Sequence, residues 1–290
     1  MKRLLTTLLL PLLLTGCSTE SLADRAYTQA VALHGTAPVR VTVRCFDETD
    51  CRTSTGTDVP AALRETAALA GGEVFLGHTE LLCTDGTVPP ATLRAMLDEE
   101  GVSPACRVFY APPPFLARDE AATTVHTLRM AEQSGLLPTA DLASALDEWC
   151  GVCRTALVPG QGDGLPAIVL LRDDGRTTRL TDDAVQGMAL LRVPRGRFQM
   201  RAPDGENVTV TRVRRHVRAS AEGVALTLTL HTEGDDAALR PYVQTLCETA
   251  VAEMCAARAD VLGIEAAMAR ADLPLDPEAF PPVNVIVEVK

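Results

Sequence analysis

Leu226, Leu228 and Leu230 alternate along one stretch, Val208, Val210 and then Val213 to Val217 precede them, and Val283, Val285, Val287 and Val289 repeat the pattern at the end of the chain. Each stretch reads as a strand with one apolar face. Between them, Asp236 to Arg258 reads as a long helix whose Leu239, Val243, Leu246, Ala250, Val251 and Met254 form a single stripe. No one-faced strand or one-striped helix can bury its apolar side alone. These elements must therefore cover one another, as a sheet with a helix laid upon it.

The preceding sequence reads as further strands and helices in mixed order. Tyr27 to Leu33 and Val39 to Phe46 are strands joined around Gly35, and Val59 to Ala70 is a helix with Pro60 in its first turn and Gly71-Gly72 at its end. A strand from Glu73 to Cys83, a helix from Pro90 to Glu100 and a strand from Cys106 to Ala111 follow. The prolines of Ala111-Pro112-Pro113-Pro114 mark a linker, because they exclude both helix interior and ladder pairing. Beyond it come helices at Asp119 to Ser134 and Thr139 to Trp149, strands at Ala167 to Leu171 and Thr177 to Leu180 about the Asp174-Gly175 turn, and a short apolar segment from Met188 to Val193. The expected class is α/β (α+β), in three small domains that are each a mixed β-sheet packed with helices. Their bounds are 24–111, 112–200 and 201–290.

The first residues carry a different signal. Lys2 and Arg3 precede an apolar run from Leu4 to Leu14 that is too short to span a bilayer and reads as a signal peptide over residues 1–16. It ends in Leu14-Thr15-Gly16-Cys17, a spacing that resembles the bacterial lipobox, so Cys17 is the expected site of lipid attachment and residues 17–23 the tether. A diacylglyceryl group holds a protein to a membrane surface without a spanning helix, since each buried methylene contributes about 0.8 kcal/mol. The formal net charge of −11 becomes about −13 once Lys2 and Arg3 are removed. General electrostatic binding to nucleic acid is thereby disfavoured.

Trp149-Cys150-Gly151-Val152-Cys153 has the spacing of a thioredoxin-like disulfide exchanger. In that chemistry the first cysteine opens a helix, where the helix dipole lowers its pKa. Here Cys150 follows the helical stretch Asp141 to Trp149, at the end where the dipole acts in the opposite sense, and Pro166 follows Cys153 too closely for the elements that fold places between them. The reading is therefore no enzyme, no cofactor and no metal. An even count of cysteines besides Cys17 favours structural disulfides in an exported protein, and Cys45 and Cys51 are a plausible local pair. Cys247 and Cys255, about 12 Å apart along one helix, are too distant to bridge. Of the histidines, His78 falls in an apolar strand and reads as a core residue, whereas His34, His126, His216 and His231 fall in turns or solvent-facing positions.

Three stretches resemble one family. Phe75 to Leu82, after the helix that ends at Gly71-Gly72, is similar to the first domain of the C subunits of bacterial spore germinant receptors, the Ger(x)C lipoproteins, and Ala167 to Gly175 with Leu180 to Asp183 and Gly187 to Leu191 looks like their middle hairpin and turn. Asp260-Val261-Leu262-Gly263-Ile264, Phe280-Pro281 and Val283 to Val289 are similar to the end of that family. The chain is identified on these grounds as a divergent member, with Glu265 where the family has its second glycine and no tryptophan before Phe280. The resemblance implies a non-catalytic subunit acting in receptor assembly and germination signalling. It also implies a lipid anchor on the outer face of the spore inner membrane, beside the integral membrane A and B subunits. Two alternatives stand beside it: a solute-binding lipoprotein of the cell envelope, which requires a polar cleft between lobes, and a thiol-disulfide lipoprotein that uses Cys150 and Cys153.

Overall fold

The computed structural model describes residues 25–46, 50–112, 115, 121–162, 166–192, 196–233 and 238–290. The signal peptide, Cys17 and the tether lie outside them.

The alternating strands behave as their pattern requires. Strands β11 (Asn207–Ser220) and β12 (Gly223–Thr232) form an antiparallel hairpin that closes at Ser220 and Gly223. The last strand, β13 (Val283–Val289), runs parallel to β12 with Leu226 beside Val285 and Leu228 beside Val287. On the far side of β11, strand β10 (Phe198–Arg201) completes a sheet in the order β10-β11-β12-β13. Leu226, Leu228, Leu230 and Val287 are fully buried and Val285 nearly so, while Asn284 and Ile286 face solvent. Helix α6 (Leu239–Ala256) covers this sheet with the expected stripe, to which Cys247 is added.

A larger sheet occupies the first two thirds of the chain. Its strands are β1 (Arg25–His34), β2 (Val39–Cys45), β3 (Cys51–Gly56), β4 (Glu73–Phe75), β5 (Leu81–Thr84), β6 (Arg107–Tyr110), β7 (Thr155–Gly160), β8 (Ala167–Arg172) and β9 (Thr177–Arg179). They lie in the order β3-β2-β1-β5-β6-β7-β8-β9, with β4 also beside β1. The centre, β1-β5-β6-β7, is parallel, and antiparallel hairpins flank it on both sides. One apolar face packs against α1 (Val59–Ala70), α2 (Pro90–Asp98) and α4 (Leu142–Cys150). The other packs against α3 (Ala121–Gln133) and α5 (Asp182–Leu191). Burial of both faces is what a parallel centre demands. Trp149 fixes α4 to the sheet through its indole N–H, which donates to the Leu171 carbonyl at 2.9 Å.

The mixed α/β class is that expected, and its strands lie in two sheets. Segments 24–111 and 112–200 contribute to one sheet, in which Tyr110 of β6 pairs with Gly160 of β7. The division at 200/201 runs through β10. One apolar core continues from Ala30 and Leu81 through Phe109, Ile168 and Met188 to Leu228 and Val287. Helix α5 lies in its middle. A Cβ at Gly187 would stand 2.0 Å from the Leu246 carbonyl oxygen of α6, so only glycine permits this helix crossing.

Other differences have local causes. The strand expected from Glu73 to Cys83 is interrupted: Thr79 N–H turns back to the Leu76 carbonyl at 3.0 Å, and a Cβ at Gly77 would meet the Phe75 ring at 2.7 Å. Strand β7, unread in the sequence, is buried at every position and so has no alternation to reveal it. The apolar segment at Met188 is the second half of α5, capped at its start by Thr181, whose Oγ1 accepts from Ala184 N–H.

Because Val287 is fully buried and Asn284 exposed, Val287→Asp should lower the unfolding free energy by about 3 kcal/mol or more through an unpaired buried charge. Asn284→Asp should stay within about 0.5 kcal/mol of the parent. Urea unfolding of the two variants measures both; equal losses would mean that the strand faces are misassigned.

Candidate functional site

The groups with the most chemistry gather where the two sheets meet. A cavity of about 550 Å³ is lined by the C-terminal end of α4 (Asp147, Glu148, Cys150), Arg192 just past α5, Arg215 of β11, and the segment from Asp260 to Glu265. Asp260 shapes that segment. Its carboxylate accepts from the N–H groups of Leu262 at 3.3 Å, Ile264 at 2.8 Å and Glu265 at 2.6 Å, which start the short helix α7 (Ile264–Ala269). Gly263 turns there with φ of 74°. The Asp-x-x-Gly pattern in the sequence is thus a helix-starting device, in which side-chain oxygens satisfy amides that have no partner within the helix.

Glu148 and Arg192 form the centre. Each side chain is only 12% exposed, and Arg192 Nη1 donates both to the Glu148 carboxylate and to the Val261 carbonyl, the latter at 3.0 Å. Arg192 Nη2 reaches the Thr139 carbonyl at 3.1 Å, and Glu148 also accepts from Leu157 N–H at 2.8 Å. Burial pushes the Glu148 carboxyl above its usual range, and Arg192 with the Leu157 amide opposes that rise. Arg215, lowered from its usual value by burial and by neighbouring Arg192, donates to the Leu191 carbonyl at 3.0 Å. Glu265 closes the far side by accepting from Val152 N–H at 2.9 Å. Glu148 and Arg192 thus bond to each other, and Asp260, Glu265 and Arg215 bond to backbone groups around the cavity.

Cys150, the first of the Cys150-x-x-Cys153 pair, lines this cavity at the C-terminal end of α4, opposite to the helix end that a disulfide exchanger uses. Cys150 is the last residue of α4 and exposed, with Arg94 Nη2 3.3 Å from its sulfur. Cys153 is buried, and burial, reinforced by Asp260, pushes its thiol up to about 11. A buried cysteine with so high a pKa supplies little thiolate at neutral pH. Burial likewise pushes Cys247 up to about 12 and Cys255 up to about 11. Cys45 and Cys51 end β2 and begin β3, with Cys51 opposite Arg44.

The histidines exchange their expected places. His34, expected at the surface, is buried at the end of β1 with Nδ1 3.5 Å from Asp85, and burial lowers its pKa despite that carboxylate. His78, expected in the core, is exposed in the turn after β4, stacked on Tyr27. Among the described residues, no three His, Cys, Asp or Glu side chains are grouped to hold a metal, and no helix is long and apolar enough to cross a membrane. Sequence reasoning missed the Glu148–Arg192 pair, which lies within an otherwise ordinary amphipathic helix and a loop far along the chain.

Iodoacetamide at pH 8 should alkylate Cys150 and leave Cys153 unmodified in the folded protein, with Cys153 gaining reactivity only as the pH nears 11. Peptide mass spectrometry reads both. Equal rates at pH 8 would contradict the burial of Cys153.

No known family model matches the chain, and no curated protein matches it. Among solved structures it is similar to one described as the crystal structure of the GerBC protein, with a TM-score of 0.41 and 9% identity, over 89% of this chain and 96% of that one.

Proposed function

We propose that the protein is a lipid-anchored, non-catalytic subunit of a spore germinant receptor. It is held through Cys17 to the outer face of the inner membrane and acts in receptor assembly and signalling beside integral membrane A and B subunits. The observation that carries this reading is the order of motifs along one chain: a complete lipobox first, then the Phe75 to Leu82 stretch, the Asp174-Gly175 hairpin, Asp260-x-x-Gly263, Phe280-Pro281 and the closing valine strand. The physical roles of the later motifs agree with it. Asp260 starts α7, and Phe280-Pro281 delivers the chain to β13, where Val224 N–H bonds to the Pro282 carbonyl at 2.8 Å.

A solute-binding lipoprotein is the second reading, and the seam cavity is what favours it. Against it stands the engagement of the lining groups within the protein, Glu148 with Arg192, and Asp260 and Glu265 with backbone amides, which leaves Arg215 the guanidinium in the cavity with a single carbonyl partner among the described hydrogen bonds.

Cys17→Ala should move the protein from the membrane fraction to the soluble one in spores, and co-purification of integral membrane partners should be lost with it. Fractionation after a high-salt wash measures the first, and affinity capture from detergent extracts the second. If the variant still pellets, the anchor lies elsewhere; if the parent captures no integral membrane partner, the receptor reading fails.

A further inference from the structure

Aromatic side chains are scarce, with six phenylalanines, three tyrosines and one tryptophan in the whole chain. Three of them meet at one end of the larger sheet. Tyr27, the third residue of β1, lies beside Phe75 of β4 in parallel register, and Phe46, just past β2, donates its N–H to the Tyr27 carbonyl at 3.0 Å. Three neighbouring strands thus bring these residues side by side. The Tyr27 and Phe75 rings are 5.5 Å apart, and the His78 ring lies 5.8 Å from Tyr27 and 5.3 Å from Phe75. Phe46 is 44% exposed, the only exposed aromatic among the described large apolar residues, and with Tyr27, His78 and Glu80 it borders an open hollow.

We propose that Tyr27, Phe46, Phe75 and His78 form a membrane-contact surface that sits in the interfacial layer of the bilayer. This rests on the reading of Cys17 as the lipidated residue, because the position of the anchor brings the surface to the membrane. Seven residues lie between Cys17 and Arg25, the first residue of β1, so the eight Cα–Cα steps span at most about 29 Å when fully extended. The aromatic end of the sheet is the end at which that tether arrives. Rings with a polar edge, such as Tyr and His, are suited to the headgroup boundary, where an apolar body meets a wet tip.

Charge decides the kind of membrane contact. A chain of net charge −11 gains nothing overall from an anionic surface. Among the described residues at the patch, Glu73 pairs with Arg25 at 3.1 Å and Glu80 with Arg129 at 2.8 Å, and the Arg25 guanidinium also lies 5.6 Å from the Phe75 ring centre. Asp47, Glu48 and Asp50 follow Phe46 in the sequence, so an anionic surface is disfavoured here as well, and the contact rests on the apolar and aromatic groups. It should form on zwitterionic phosphatidylcholine and change little with salt.

The test places a tryptophan at Phe46 and, separately, at Leu69 of α1, which is 58% exposed and outside the patch. Each variant of the full chain is mixed with phosphatidylcholine vesicles that carry bromine near the headgroup, and flotation first reports whether the chain is anchored. In parallel, the same variants from residue 18 onward are held by an N-terminal oligohistidine tag on vesicles with chelating lipid, which removes the dependence on acylation. Trp149 is buried and gives the same background in every sample. The expected result is quenching of Phe46→Trp roughly twofold or more above that of Leu69→Trp, unchanged in high salt. Equal quenching of the two on the chelating vesicles overturns the contact surface whatever flotation shows. Absence of flotation with the full chain, together with selective quenching on the chelating vesicles, overturns only the anchor.

Discussion

The close crossing of α5 and α6 is the contact on which the rest of the molecule depends. At Gly187 the two backbones approach so nearly that a methyl group would collide with the Leu246 carbonyl. Seven residues of α5 are buried, an all-round burial that identifies a helix packed on more than one side. One neighbour is the larger sheet and another is α6, which covers the smaller sheet. Side-chain bonds reinforce the crossing, with Thr181 N–H donating to Glu253 at 3.0 Å and Tyr242 to Gln186 at 3.3 Å. With each buried leucine, valine or methionine contributing about 1.5–3 kcal/mol, the apolar core that runs through this helix is the principal source of cohesion between the sheets.

The polar seam beside that core has a different part. A buried ion pair adds little net stability over apolar packing, whereas separating its partners leaves a charge without compensation. The Glu148–Arg192 pair, tied to Val261 and Leu157 by further bonds, therefore penalises any arrangement of the sheets in which these residues part. Cohesion comes from the core and orientation from the seam. A chain so arranged presents its surfaces in fixed relation to one another, which suits a subunit that must hold a set position beside others.

Much of this was legible where periodicity is strong. The strands around Leu226 and Val285, the helix with its Gly71 stop, and the stripe of α6 all follow from one-faced patterns. Where burial is two-sided the pattern vanishes, which is why β7 was not read and why the joining of two segments into one sheet was not foreseen. The exchange of His34 and His78 has a related cause: neighbouring apolar residues suggested a continuous strand, but Gly77 breaks it and turns the imidazole outward. Of the seam, the sequence offered Asp260-x-x-Gly263 as a motif without revealing its use, and gave no sign that Glu148 and Arg192 would meet.

Trp149 lies on α4 against β8 of the larger sheet, and Leu228 lies fully buried in the smaller one. Urea unfolding of the Leu228→Ala variant, followed by the fluorescence of this single tryptophan, therefore tests directly whether the two sheets stand or fall together. If they share one core, the tryptophan transition should move to lower urea by an amount equivalent to about 2–5 kcal/mol, with its slope unchanged. A tryptophan transition that stays in place, while circular dichroism shows an earlier loss of the smaller sheet, would contradict the account.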